Sequence, residues 1–124
     1  MRLYLWFLLR GSFVWAVSTL ILRLLPADWV DRPAWTLLIT GAISGAGLVV
    51  ATLVFLRKIE ERHQLAALVS FVAPQMVLDA GVVAAFADVL PNFPTGHAPL
   101  FGAFVLWCYA VMVMTAVVAT RPRA

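Results

Sequence analysis

The chain has 124 residues, of which 64% are hydrophobic and 12% charged, with a net charge of +3. Soluble domains average about 45–50% apolar and about 25% charged residues, so in water these charges could not cover so much apolar surface, whereas in lipid the composition is expected. The basic excess sits at the ends of apolar runs and forms no patch interleaved with exposed aromatics, which argues against a nucleic-acid partner; a single cysteine, Cys108, excludes an internal disulfide.

In chain order the apolar runs predict four membrane helices, near 3–25, 34–56, 65–90 and 99–120, in one domain spanning 1–124. The first run, Leu3 to Leu25, is interrupted by Arg10 and closed by Arg23. A signal peptide is the competing reading, with Arg2 as its charged start and Ala16 to Ser18 as its cleavage site. However, its apolar segment would carry Arg10, and apolar residues continue past the cut, so an uncleaved helix is the better reading. Residues 26–33 form a polar turn, with Pro26, Asp28, Asp31 and Pro33 as stop and start signals. Trp29 and Trp35 suit a membrane–water interface.

The second run, Ala34 to Leu56, has no charge and contains Gly41 and Gly45 at the small-xxx-small spacing that lets another helix approach closely. Packing inside the bundle is the expected use, with a dimer seam as the alternative. The charge-dense stretch from Arg57 to Gln64 reads as a solvated loop. The third run, Leu65 to Leu90, holds Pro74, Gln75 and Asp79, with a kink expected at Pro74. The loop 91–99 contains Pro91, Pro94 and Pro99 and no Lys or Arg, so it is expected to be stiff and extended. The fourth run, Leu100 to Thr120, is again uncharged.

Charge asymmetry sets the expected orientation. Arg2, Arg57, Lys58, Arg62, Arg121 and Arg123 lie on one side, and Arg23 and Arg32 on the other. The rich side is the cytoplasmic one. The expectation is an all-α membrane protein: a four-transmembrane-helix bundle running up-down-up-down, with both termini cytoplasmic and the whole in the cell inner membrane.

Asp79 is the sharpest chemical feature. A carboxylate at mid-membrane costs about 2.5–3.5 kcal/mol on insertion scales, so it normally faces protein or water. Gln75, four residues earlier, shares its helix face. Asp79 lies about 16 Å from the Leu90 end of its helix at the α-helical rise. The same depth falls near Tyr109 on the fourth helix, Ser44 on the second and Trp15 on the first. Each of these can donate a hydrogen bond to a carboxyl group. Tyr109 is the first choice of donor and Trp15 the second. Arg10, about 10 Å inside the membrane edge, is expected to snorkel to the headgroups, with an ion pair to Asp79 as the alternative.

No metal or cofactor site is expected. Cys108, His63 and His97 fall short of a structural zinc set; His63 reads as a surface residue and His97 as a loop residue. The P-loop, metalloprotease, nucleophile-elbow and paired-cysteine motifs are missing from the sequence, so an enzyme is the weakest reading.

The stretches Ala73 to Ala80, Leu90 to Phe93 and Leu100 to Trp107 resemble a family of small bacterial four-helix membrane proteins of unknown function. The resemblance would extend over nearly the whole chain. It implies bacterial origin and the same four-helix layout, and carries over no activity. Two functions fit the residues. One is a non-enzymatic accessory subunit that packs, in the lipid bilayer, against a larger membrane-protein partner or against itself as a homo-oligomer. The other is an oligomeric small transporter or channel using Asp79 as a proton or cation site.

Overall fold

The computed structural model describes residues 2–25 and 34–121. Helix α1 spans Arg2–Leu24, α2 Ala34–Arg57, α3 Gln64–Ala84, the short α4 Phe86–Val89 and α5 Ala98–Ala119. The four long helices have 21 to 24 residues, about 32–36 Å at the α-helical rise, which matches the hydrocarbon thickness of a bilayer. They are apolar around their whole circumference rather than along one stripe, as membrane spans are. Phe13, Leu38, Ile43 and Val77 remain 69–75% exposed; such a surface would aggregate in water and is ordinary in lipid. Four helices among the described residues are thus long and apolar enough to cross a membrane, the pattern of a multi-pass membrane protein. The polar turn proposed for 26–33, with Trp29 and Arg32, lies outside the described residues, as does Arg123.

The long helices alternate in direction, yet sequence neighbours are not the main packing partners. Helix α1 packs on α3, α3 on α5, and α5 on α2. Contacts advance together along α1 and α3, from Tyr4 with His63 to Trp15 with Asp79 to Leu22 with Asn92, so these two helices run parallel. Contacts between α3 and α5 run in opposite senses, with Asp79 against Tyr109 and Phe86 against Phe101. Helix α2 also meets α1 and α3 through Phe55, whose ring lies 5.4 Å from those of Phe7 and Phe71.

The core divides into two clusters. Leu56, Leu68, Val72 and Ala116 pack with Tyr109 toward the Lys58 end. Val82, Phe86, Leu90 and Phe93 pack toward the Pro91 end. Asp79 lies between them.

Two expectations are corrected. The third helix does not run unbroken to Leu90: it stops at Ala85 (φ −113°, ψ 37°) and resumes as the single turn α4. Pro91 then disfavours helical backbone at Leu90 (φ −122°, ψ 64°). The loop 91–99 is not simply extended: it contains a 3-10 turn, Thr95–His97, entered from Pro94, whose ring-restricted φ of −57° suits a turn start. Phe93 is buried beneath this loop, which anchors it to the core. His63, expected at the surface, is partly exposed, and its Nδ1 lies 3.0 Å from the Tyr4 hydroxyl.

Two side-chain amides finish helices whose last carbonyls have no intrahelical partner. Asn92 Nδ2 donates to the carbonyls of Leu22 at 2.9 Å and Leu25 at 2.7 Å, closing α1. Gln64 Nε2 donates to those of Leu56 at 2.9 Å and Ile59 at 3.1 Å, closing α2.

Among the glycines, the closest approach of a neighbouring backbone is at Gly11. A Cβ there would stand 2.0 Å from the Phe71 carbonyl oxygen, so α1 can cross α3 at this distance only with glycine. At Gly41 a Cβ would meet nothing within 4 Å, and at Gly45 it would meet the Trp107 ring at 3.5 Å. The small-residue surface of α2 thus receives an indole rather than a second backbone, and Trp107 Nε1 donates to the Gly41 carbonyl at 3.2 Å.

Gly11→Leu is expected to destabilise the bundle by about 1–3 kcal/mol, the usual range for forced overpacking. Thermal unfolding of the detergent-solubilised protein measures this. Gly47→Ala, at a position with open space, should leave the transition unlowered or raise it slightly, because alanine loses less backbone freedom in a helix than glycine.

Candidate functional site

Asp79 is 6% exposed and sits where α1, α3 and α5 meet. Trp15 Nε1–H, from α1, donates to its Oδ1 at 2.8 Å. The Tyr109 hydroxyl, from α5, donates to Oδ2. Each carboxyl oxygen therefore has a donor from a different helix, and two helices are tied to the third through one side chain. Backbone geometry prepares this. The approach at Gly11 brings α1 close enough for Trp15, four residues on and so on the same face, to reach α3. The antiparallel α3–α5 seam places Tyr109 opposite Asp79.

Neither donor is charged. The two bonds satisfy the acceptors of the acid but would not neutralise a carboxylate. None of the ion pairs among the described residues involves Asp79: Arg62 and His63 both turn to Glu60, at 3.0 and 3.9 Å. The Arg10 guanidinium lies 4.7 Å from the centroid of the Trp6 ring, one turn toward the N-terminus, on the exposed side of α1. A cation over an indole face is attracted by the ring quadrupole. That placement separates Arg10 from Asp79.

The other residues singled out by depth are dispersed. Gln75 is buried, but its Nε2 donates to the Phe71 carbonyl of its own helix at 3.0 Å. It therefore shares the oxygen against which Gly11 packs. Ser44 is half-buried on α2, a helix that packs on α5 rather than along α3, so it takes no part in the hydrogen bonding of Asp79. Pro74 is accommodated within α3 without ending it. Cys108 is a half-buried free thiol. Among the described residues no three His, Cys, Asp or Glu side chains gather as a metal site would require.

Asp79 and Tyr109 also line a half-open groove of about 320 Å³ between α3 and α5, walled by Met76, Ala80, Val83, Gly102, Val105 and Leu106. The walls are apolar, and Met76, Val83 and Leu106 are themselves exposed on the outer surface. The groove thus opens to the side of the bundle, and although Asp79 and Tyr109 are among its lining residues it exposes almost no polar surface.

Sequence reasoning missed a polar cluster at the Lys58 end, where Tyr4, His63, Glu60 and Arg62 are linked. The available signal was depth: Tyr4 and His63 both lie near that end of the first and third helices. It also missed Thr52, which is buried on α2 with a hydroxyl that has no partner among the described residues.

Residues 31–123 match the model of a family described as a family of unknown function, DUF5367. The chain belongs to this family. The match begins after α1, so it is shorter than the near-complete coverage the resemblance implied, and Trp15 and Gly11 precede it. Asp79, Tyr109 and the groove lie inside the matched region. No curated protein and no solved structure matches the chain.

Removing either donor to Asp79, by Trp15→Phe or Tyr109→Phe, is expected to cost about 1–3 kcal/mol, as for a buried acceptor left unpaired. Asp79→Leu strands both donors and should cost more than Asp79→Asn, whose amide oxygen still accepts a bond. Titrating the micellar protein with a denaturing detergent while following its helical circular dichroism ranks the variants.

Proposed function

We propose that the chain is a small bacterial inner-membrane protein with both termini in the cytoplasm. In this reading it has no catalytic site and serves as an accessory subunit that packs against a larger membrane-protein partner or another copy of itself. The observation that carries this reading is the use made of Asp79. Its oxygens are engaged inside the bundle, where they hold α1 and α5 to α3. The long helices present apolar residues to their surroundings, and the loops between the described helices are short. Surfaces of this kind offer packing rather than chemistry. The orientation is supported by Arg2, Arg57, Lys58, Arg62 and Arg121 at one end, against Arg23 at the other.

A second reading draws on the groove. Asp79, one of its lining residues, is where a proton or cation could bind in an oligomeric transporter, since ionisable groups within membrane spans mark ion paths in many membrane proteins.

Two measurements test the proposal. Mild-detergent purification from native membranes should yield the chain together with a stoichiometric membrane partner; a homo-oligomer that conducts protons or cations in liposomes would favour the transporter. A cysteine introduced at His97, in a Cys108→Ala background, should react with an impermeant thiol reagent from outside intact cells. Reaction from the cytoplasmic side alone reverses the orientation.

A further inference from the structure

We propose that the outward face of α1, at its Arg2 end, is a binding site for one anionic phospholipid, with the headgroup phosphate held by Arg2 and Arg10 and an acyl chain lying along Phe13 and Val17. This rests on the membrane placement proposed above, not on the accessory role.

Helix α1 has two faces. Tyr4, Gly11 and Trp15 turn to α3. On the other side Arg2, Trp6 and Arg10 form a row at four-residue spacing. All three are exposed, Trp6 by 53%. The same side continues with Phe13, 69% exposed, and Val17, 41% exposed. The face is thus cationic and aromatic toward the helix end and apolar beyond, which is the order of a phospholipid from headgroup to chain.

Charge complementarity says what covers it. A guanidinium stays charged in proteins, and within a membrane span it must reach water or an anion. Among the described residues no carboxylate pairs with Arg10. The ion pairs run to Glu60 from Arg62 and His63, and Asp79 faces Trp15 on the opposite side of α1. Helical side chains tilt toward the N-terminus, and the Arg10 guanidinium lies 4.7 Å from the centroid of the Trp6 ring. That tilt shortens the roughly 12 Å of helix between Arg10 and Arg2, so the two cations approach one level. The indole attracts the cation without neutralising it. The planar fork of guanidinium donors suits phosphate. A phosphate ester with net negative charge completes the site, whereas a choline headgroup brings its own cation against two arginines.

The probe is the full-length chain with Phe13→Cys in a Cys108→Ala background, labelled at position 13 with a fluorophore and placed in phosphatidylcholine vesicles. A fixed fraction of the lipid is replaced by phosphatidylglycerol or phosphatidylcholine with brominated acyl chains. Bromine quenches on contact, so the two quenching curves give the relative occupancy beside residue 13. Phosphatidylglycerol is expected to be preferred at least about fivefold, the ratio that one basic residue gives at an anionic surface. Arg10→Leu should erase the preference; it puts an apolar residue on an exposed face, so the bundle stays folded, as circular dichroism would verify. Lys58→Gln, which removes a charge at the same end but off the row, should leave the preference unchanged. Equal quenching by the two lipids overturns the site, as does a preference that survives Arg10→Leu or falls equally in Lys58→Gln. A preference abolished by inorganic phosphate would make a soluble anion the ligand, and one that falls as protein is added per lipid would put a second copy on this face; either result overturns the proposal. Quenching by neither lipid defeats the membrane placement itself. The accessory reading fails separately, if native membranes yield the chain without any partner.

Discussion

A carboxyl group buried at mid-bilayer cannot borrow hydrogen bonds from water, so it must find them within the protein, and Asp79 finds them on two helices at once. Trp15 reaches it from α1 and Tyr109 from α5. Side-chain bonds of this kind hold axial register more strictly than apolar contacts do. Leucine against leucine tolerates a slide of a residue, while an indole N–H that slips by one residue turns about 100° away from its acceptor at 3.6 residues per turn. The positions of Gly11 against Phe71, one turn below, and of Asn92 beneath the last turn of α1 are consistent with the same register.

Helix α2 is held in another way. Its main contact is α5, where Trp107 lies over Gly45 and donates to the Gly41 carbonyl. The glycines open a flat surface, and the indole fills it while placing its N–H on a backbone oxygen. Toward the Lys58 end Phe55 joins the rings of Phe7 and Phe71, so the bundle closes there through aromatic packing. The molecule thus has a polar tie near its middle and an aromatic closure toward one end. The α3–α5 groove lies beside the tie.

This arrangement bears on function. An acid bonded within the bundle by donors from two helices is well suited to hold those helices together. Membership of a family of unknown function, matched over 31–123, includes both Asp79 and the groove, whereas the donor from α1 comes from outside the matched region.

Much of the fold was legible in the sequence, because length and apolarity suffice to place membrane helices. Each charge-free run of more than twenty residues can satisfy its backbone in lipid only as a helix. The depth of Asp79, and the residues level with it, also followed from a constant rise per residue. Depth does not fix rotation, however, so depth alone did not separate Ser44, on a helix that packs elsewhere, from Trp15, the second-ranked donor, which faces the acid. Which helices are neighbours was equally hidden, because helices apolar all round carry no stripe to mark an inner face. The close approach at Gly11 was invisible for a related reason: a lone glycine looks weaker in sequence than Gly41 with Gly45, and only the crossing of α1 over the Phe71 carbonyl makes it indispensable. The sequence by itself determined which helices are long and apolar enough to cross a membrane and at what level along them the polar groups lie; the tertiary structure alone decided which faces turn inward, since between helices apolar all round that choice rests on packing and a few hydrogen bonds rather than on hydrophobic contrast.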